Sequence, residues 1–517
     1  MNNTKDYVSD ILKGIFLLSY IYITLIAITY IKSEICGIPK YAIYIISAVI
    51  VCSVIIYMRK EKRCISDYRP DKSENIFLLI ASVVLLFVQV VVVWNAVFRT
   101  AWDPGAVWYG AHYVSLGDRA GIESMAYYFS VYPNNLILVF IYSVILKLNM
   151  LIGSPISNGT MLLAFFSCFL ISVTGVLFFK TAKKVVGCKG AWIGYIFYFI
   201  LVGLSGWILI PYSDSTGIIF PILMLYIYIS MKETKNIKRK FLDMFFLVLF
   251  GNIGFKIKPM AAIVLIAIIA IEGLELIRKC LVKEKIDIKV NIAYILCGVC
   301  GMLMAFVFVN TAIKTMNFPV VTENILGWQH HMMLGLNKDT NGGYSQEDFD
   351  YSTSFATSEE QHAAEYAKIK QRLEDFGVLG YMDHFVKKSA RNYFDASFGW
   401  GGLGDSFYTE IFPERDNKLC PIIRSLYYDN NDENLYKYNL LARQTMWYIV
   451  ICLMPFAAWT RGKLDYKNKV LLLSVLGLMM YLQIFEAHAR YVFTFVPLYI
   501  IVACLGMKNL VHKIEND

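Results

Sequence analysis

The chain has 517 residues, of which 57% are hydrophobic and 17% are charged, whereas soluble domains usually carry about 25% charged residues. The hydrophobic residues form uninterrupted runs, each long enough as a helix to cross a hydrocarbon core of roughly 30 Å. This composition excludes an ordinary soluble enzyme and predicts an all-α polytopic membrane protein. The formal net charge of +9 does not indicate nucleic-acid binding, because basic and acidic residues separate by topology.

Twelve apolar runs are predicted to span the membrane. The first is too long for the apolar part of a cleavable signal peptide, and no small-residue cleavage pattern follows it. A further run, 135–151, is short and contains Lys147. The predicted spans are 11–31, 41–58, 76–98, 159–179, 191–210, 215–231, 241–257, 260–277, 291–313, 443–459, 470–486 and 491–507.

Clusters of lysine and arginine orient these spans, since positive residues accumulate on the cytosolic side. The positions of the clusters fit twelve spans with both termini in the cytosol, provided that 135–151 does not cross the membrane. We therefore predict about twelve transmembrane helices plus a juxtamembrane or re-entrant helix at 135–151. The clusters lie at 59–63, 180–189, 232–240, 278–289, 461–469 and in the tail after residue 507.

The longest connection, 314–442, is predicted to be an extracytoplasmic, mainly helical domain. It contains 12 Lys or Arg and 19 Asp or Glu, a balance of −7, so the rest of the chain carries +16. Ser358 begins a sequence typical of a helix N-terminus, and Gly377 predicts that this helix ends near residue 376, before a second helix at about 378–394. The predicted organisation is a transmembrane core at 1–313 with a large outer loop at 99–134, then the domain 314–442, and last the helices and tail at 443–517.

Ionisable residues gather in five connections on the predicted outer side. Asp103 follows a span within a Trp-Asp-Pro-Gly sequence, where a simple turn is an equally good local interpretation. Each residue alone fits a solvated group at the end of a span, but together they would surround a common pocket. The other members are Asp214, Lys256, Lys258, Glu486, His488, Arg490 and Tyr491.

The residue types in this group suit phosphate and hydroxyl chemistry. Arginine binds a phosphate through two parallel hydrogen bonds, and lysine adds a point charge. A carboxylate beside them suits the activation of a hydroxyl nucleophile. The sequence contains no phosphate-binding P-loop, dinucleotide fingerprint or His-Glu-x-x-His zinc motif.

These features resemble the GT-C glycosyltransferases, and among them the bacterial relatives of protein mannosyltransferases and of the lipid A aminoarabinose transferase. The segment 102–107, Trp-Asp-Pro-Gly-Ala-Val, is similar to the loop that carries their catalytic Asp. Tyr-Pro-Asn-Asn at 132–135 resembles the entry to their juxtamembrane helix, and Pro-Tyr-Ser-Asp at 211–214 resembles their second acidic loop. Ala-Arg-Tyr at 489–491, followed by Pro497, is similar to their last loop. The resemblance covers roughly residues 76–507 in layout, although two spans precede the first loop where many members have one.

The resemblance implies a polyprenyl-phosphate-linked sugar as donor. The sugar would be transferred with inversion to a glycan, cell-wall polymer or protein outside a bacterial cell membrane. Asp103 would act as the base, while Asp118 and Glu123 are alternative acids in the same loop. Asp214 would position the acceptor or a cation. No cofactor follows from the sequence, and whether a divalent cation takes part stays open.

The remaining residues of the group are implied to contact the donor. Those expected to bind the lipid phosphate are Lys256, Lys258, Arg490 and Tyr491. Those that are candidates for sugar contact are His330, His331, Glu486 and His488, with a purely folding role as the alternative for the two neighbouring histidines. Other possible functions are a transporter or flippase, or a polymerase, for lipid-linked saccharides. Nearly charge-free spans and the lack of two-half symmetry favour an enzyme over a transporter.

Overall fold

Helices form almost all of the regular structure of the protein. The computed structural model describes residues 6–30, 34–35, 38–60, 72–152, 159–284, 286–400, 408–428, 435–460 and 462–516. Within them the α-helices are α1 Tyr7–Tyr30, α2 Lys40–Lys60, α3 Lys72–Ala96, α4 Trp102–Leu116, α5 Arg119–Ser124, α6 Ala126–Val131, α7 Leu136–Leu151, α8 Gly159–Tyr198, α9 Ser213–Gly217, α10 Ile219–Glu233, α11 Ile237–Ile257, α12 Ala262–Leu281, α13 Ile288–Met316, α14 Trp328–Gly335, α15 Gln346–Thr353, α16 Ser358–Tyr393, α17 Leu419–Tyr427, α18 Tyr436–Leu453, α19 Tyr466–Ile484, α20 Ala489–Phe493 and α21 Val496–Asn516. The strands are β1 Glu34–Ile35, β2 Ile38–Pro39, β3 Phe98–Thr100 and β4 Tyr408–Ile411.

Every predicted span corresponds to a helix in the structure. Eleven helical stretches among the described residues are long and apolar enough to cross a membrane. One of them, Gly159–Gly203, contains two predicted spans, because α8 folds back at Gly187, where φ is 86°. Its two halves are antiparallel, with Phe178 stacked on Tyr198. The helix α11 matches the predicted span 241–257 but carries charged residues towards both ends, so it is not among the eleven.

The helix α7 is one of the eleven by length and composition, yet both of its ends lie on one side of the bundle. We call this side, where α3 ends at Ala96, the Asp103 side. The helix α8 begins at Gly159, which is packed against Leu146 of α7. Lys183, just before the bend of α8 at Gly187, forms an ion pair with Glu74 in the first turn of α3, on the side opposite to Ala96. Since α8 runs from the Asp103 side to the opposite side, α7 does not cross. This arrangement agrees with the prediction of a juxtamembrane helix at 135–151.

Among the described residues, the connection predicted as a domain contains four further helices, α14 to α17. The helix α16 is broken at Gly377, where φ is 54°, as predicted for two helices that meet there. Its N-cap is Thr357, whose side chain accepts a hydrogen bond from the backbone N–H of Glu360, so the predicted cap at Ser358 was wrong by one residue. A small apolar core forms between α14 and α16 around Met333 and Ile369.

A late segment of the chain returns to the end of α3. Strand β4 pairs antiparallel with β3, and the register shifts between Arg99 and Thr100. The side chain of Arg424 donates to the carbonyl oxygen of Asn95 over 3.0 Å, and the hydroxyl of Tyr428 donates to the carbonyl oxygen of Ala96 over 2.7 Å. These contacts satisfy carbonyl groups that the end of a helix leaves without partners. They also fix the short strand that leads to Asp103.

The predicted basic clusters fall only partly within the described residues. Residues 61–63 of the cluster at 59–63, residue 285 of the cluster at 278–289 and residue 461 lie outside them.

Candidate active site on the Asp103 side

Asp103 lies in the first turn of α4, directly after β3. The backbone turns sharply at Trp102, which has a φ of 58°. A Cβ atom added to Gly105 would lie 2.5 Å from the carbonyl oxygen of Thr100, so only glycine allows the strand and the helix to approach this closely. The Asp-Pro-Gly sequence therefore starts a helix, and the alternative of a simple turn is wrong.

Two tyrosine hydroxyls hold the Asp103 carboxylate. Tyr128 donates to its Oδ1 over 2.9 Å, and Tyr212 donates to its Oδ2 over 3.3 Å. The Nδ2 of Asn135 donates to the Tyr128 hydroxyl over 2.8 Å. Burial, followed by the nearby Asp103 carboxylate, raises the pKa of both tyrosines well above its usual value, so both keep their protons. A carboxylate offers about four acceptor sites, which leaves room for a further hydroxyl donor.

A buried ion pair lies on the other side of Tyr212. The Nζ of Lys258 donates to the Oδ1 of Asp214 over 2.5 Å, and the two side chains are 7% and 0% exposed. The second carboxylate oxygen, Oδ2, is buried without a hydrogen-bond partner. Burial lowers the pKa of Lys258, although the Asp214 carboxylate opposes this change. Lys256, in contrast, is exposed and lies against Phe255, outside the pair.

Arg490 lies between the two acids. Its guanidinium carbon is 6.0 Å from the ring centre of Tyr212 and 5.3 Å from that of Tyr491. The Nε atom is buried and has no hydrogen-bond partner. Burial alone would lower the pKa of Arg490, but Tyr491 and the carboxylates of Asp214 and Asp103 hold it above its usual value. A half-buried cation whose Nε donor is buried and without a partner is a suitable position for an anionic group of a substrate.

The last loop connects this cluster to α14. Tyr491 donates through its hydroxyl to the Oε2 of Glu486 over 2.9 Å, and the Nζ of Lys258 lies 5.0 Å from the Tyr491 ring centre. The Nδ1 of His331 is 4.0 Å from the same Glu486 oxygen. The structure thus brings the predicted residues Glu486, Tyr491, Lys258 and His331 together on the Asp103 side.

Of the other two predicted histidines, His330 is buried and His488 is half-buried. The Nδ1 of His488 accepts a hydrogen bond from the backbone N–H of Arg490 over 3.2 Å, and burial followed by Arg490 lowers its pKa. His330 is 1% exposed, and its Nδ1 is 2.7 Å from the hydroxyl of Ser352. Burial lowers the pKa of His330 to about 3. Both rings are therefore neutral, and contact with a sugar stays a prediction for them.

The alternative acids of the first loop lie apart from Asp103. Asp118 is the N-cap of α5 and accepts from the backbone N–H of Gly121. Glu123 forms a surface ion pair with Arg119. The 15-residue helix α4 separates Asp118 from Asp103 by roughly 22 Å at about 1.5 Å per residue, and Glu123 follows on α5. This separation does not support either residue as a replacement for Asp103.

Several residues of the cluster were not predicted. Tyr128, Asn135 and Tyr212 surround Asp103, and two of them are part of the short motifs at 132–135 and 211–214. Those motifs were the signal that could have identified them. Tyr128 has no comparable signal, because nothing in the sequence shows that α6 turns its ring towards α4.

No group of three or more His, Cys, Asp or Glu side chains in the described part of the chain is arranged to hold a metal ion. In the cluster, Asp103 accepts from two tyrosines and Asp214 pairs with Lys258. A role for a divalent cation stays a prediction.

Comparisons with known proteins show the family. Residues 2–511 match the family described as "Conserved hypothetical integral membrane protein" (CHIM_prot). The chain belongs to this family. Membership confirms the prediction of a polytopic helical membrane protein, in agreement with the eleven apolar helical stretches.

Among solved structures, one that is similar in part can be described. It is the archaeal oligosaccharyltransferase AglB from Archaeoglobus fulgidus, in complex with an inhibitory peptide and a dolichol-phosphate. The identity is 12% and the TM-score is 0.38, over 84% of this chain and 51% of that chain. This chain therefore spans about half the length of that protein. No curated protein matches the chain.

Proposed function

We propose that the protein is a membrane glycosyltransferase that moves a sugar from a polyprenyl-phosphate donor to a hydroxyl acceptor on the Asp103 side. This side would be extracytoplasmic in a bacterial cell membrane, with both termini in the cytosol. The observation that carries the proposal is the position of Arg490. Its unpartnered buried Nε lies within one cluster with an Asp103 carboxylate that still has free acceptor sites.

The transfer step follows from this arrangement. An acceptor hydroxyl donates to a free lone pair of the Asp103 carboxylate, which takes the proton as the hydroxyl oxygen attacks the anomeric carbon. The bond between that carbon and the phosphate oxygen breaks, and the lipid phosphate leaves with the electron pair. Attack opposite the leaving group inverts the configuration. General-base help of this kind contributes roughly 10²–10⁴-fold.

The cations have different parts in this scheme. Lys258 is neutralised by Asp214, so the pair adds little net charge. Arg490 faces both acids and supplies the donor for the phosphate, whose negative charge increases as it leaves. Glu486, Tyr491 and His331 line the approach from α14, where the acceptor, a glycan, wall polymer or protein, would bind together with residues of 314–442.

The test is transfer by the purified protein with a panel of radiolabelled polyprenyl-phosphate hexoses and a membrane extract as acceptor source. Release of free polyprenyl phosphate marks cleavage of the anomeric bond, which a flippase would not perform. Asp103→Asn should reduce release by about 10²-fold or more, while the donor still binds. Asp118→Asn, an exchange in the same loop at a helix cap, is the matched control and should remain close to wild type. Near-normal release by Asp103→Asn would refute the assignment of the base.

A further inference from the structure

Lys388 is a buried lysine that joins two distant segments of the chain. Its side chain is 1% exposed, and Nζ donates to the carbonyl oxygens of Gly335 and Gln483, each over 2.8 Å. These acceptors lie 53 and 95 residues away in sequence. A buried ammonium group is costly unless it is hydrogen-bonded, so this position needs a reason beyond packing.

The loop 335–343 fits closely over Lys388 and the turn 483–487. A Cβ atom on Gly335 would lie 2.6 Å from the carbonyl oxygen of Ile484 and 2.8 Å from the Nζ of Lys388. Gly342 has a φ of 77°, and its Cβ would lie 2.9 Å from the Lys388 Cε. The backbone N–H of Ala487 donates to the Gly342 carbonyl over 2.7 Å. The loop and the turn therefore form one packed unit with Lys388 between them.

Arg391 holds the other end of the same turn. It lies three residues after Lys388 on α16, so both side chains are on one face of the helix. Its Nε donates to the carbonyl oxygen of Ala487 over 3.0 Å, and its guanidinium group occupies the space where Gly343 would carry a side chain. Two cations thus bind the backbone at Gln483 and at Ala487, the first and last residues of the turn.

The turn contains Glu486 and leads directly into Arg490 and Tyr491. Because Tyr491 donates to Glu486, a shift of the turn would move the hydroxyl and the guanidinium together. We propose that Lys388 and Arg391 are positioning residues that hold the turn 483–487 and thereby place Glu486, Tyr491 and Arg490 for binding of an anionic lipid phosphate. The positioning stands on these contacts alone, whereas the ligand rests on the proposed function.

The charge of Lys388 should depend on pH near neutrality. Burial lowers the pKa of Lys388 to about 7, although Glu486 opposes this change. The other titratable or charged groups beside it are His384 and Arg391 on its own helix, while Lys338 and Asp339 of the covering loop are exposed. Below pH 7 the ammonium form predominates and faces Glu486, and above pH 7 this charge is lost. Because the buried lysine releases its proton more readily than an exposed one, the packed turn should become more stable as the pH rises above about 7.

Hydrogen–deuterium exchange of the full-length protein in detergent tests the positioning without reference to any activity. Lys388→Met should increase exchange of the peptide 484–492 at least tenfold, with no comparable change in the membrane helices. Lys387→Met is the matched control, because this neighbour is 48% exposed and pairs with Asp383, and it should exchange as wild type does. Arg391→Met is a second variant that should loosen the same peptide if Lys388→Met fails to fold. In wild type, protection corrected for the intrinsic rate should rise between pH 6 and 8.5, and protection that falls over this range would contradict the pH dependence.

A second readout connects the positioning to phosphate binding. Donor transfer by wild type should increase as the pH rises through about 7, and Lys388→Met should be slower and lack this increase because the titrating group is absent. Unchanged exchange at 484–492 in both variants would overturn the positioning. Altered exchange without any transfer by wild type would instead refute the proposed function and leave the positioning intact.

Discussion

The ion pair of Asp214 and Lys258 allows a quantitative prediction. Lys258→Met leaves a carboxylate that is 0% exposed and already has one oxygen without a partner. Removal of one member of a buried pair costs about 3–5 kcal/mol. Arg490 also stabilises the charge of Asp214, so we expect a loss of stability at the lower end of this range, about 3 kcal/mol. Asp214→Asn should cost less, because burial already lowers the pKa of Lys258 and the lysine can release its proton.

The double variant provides the decisive comparison. With both charges removed, no buried charge remains uncompensated, and about 2 kcal/mol of the loss in Lys258→Met should be recovered. Unfolding in mixed dodecyl maltoside and SDS micelles, followed by circular dichroism, measures all four proteins. A double variant as unstable as Lys258→Met, or a loss below about 1 kcal/mol in Lys258→Met, would refute the view that the pair is a compensated buried charge.

Three further outcomes are expected. Arg490→Ala should abolish use of the lipid donor while the protein stays folded. Arg490→Lys should restore little activity, because a point charge does not replace the planar guanidinium group. Retained donor binding by the alanine variant would remove this residue from the site. Tyr128→Phe should lower transfer about tenfold, which corresponds to the loss of one hydrogen bond to a charged group at about 1.5 kcal/mol. Tyr212→Phe should lower transfer less, because the Tyr212 hydrogen bond is longer. Equal rates in both variants and wild type would contradict the role of the hydroxyls. In a cysteine-depleted background, a cysteine at position 350 should react with an impermeant reagent on intact cells and one at position 183 only after permeabilisation, and the reverse pattern would invert the topology.

The transmembrane part of the fold could be predicted because the bilayer imposes its thickness on the sequence. A helix that spans the hydrocarbon must be apolar over most of its length, so all twelve predicted spans have a counterpart, including the two halves of α8. Charge parity required that one of the runs 135–151 and 159–179 does not cross the membrane, and the shortness of 135–151 and its Lys147 selected α7. The alternation of basic clusters placed two connections on the same side of the membrane, and this predicted the close grouping of Lys258, Arg490 and Tyr491.

Other parts of the site depend on the directions in which helices run and side chains point, and hydropathy does not encode these directions. The first loop was not recognised as a 15-residue helix, so nothing indicated that α4 separates Asp118 from Asp103. The same applies to His330, whose ring lies in the interior between α14 and α15. Lys256 and Lys258 are equivalent by composition, and only the bend between α11 and α12 decides which one meets Asp214.

The return of residues 420–428 to the end of α3 has a consequence for biosynthesis. The Arg424 bond to the Asn95 carbonyl joins residues 329 positions apart, and translation at ~10 residues per second takes roughly half a minute to cover that distance. During this interval the nascent chain has already inserted α3, but the strand before Asp103 has no partner to fix its register. The amino-terminal half of the site can therefore mature only after β4 and α17 leave the ribosome. Ribosome-bound chains that end before residue 408 should contain an unorganised Asp103 segment that is open to proteases and chaperones.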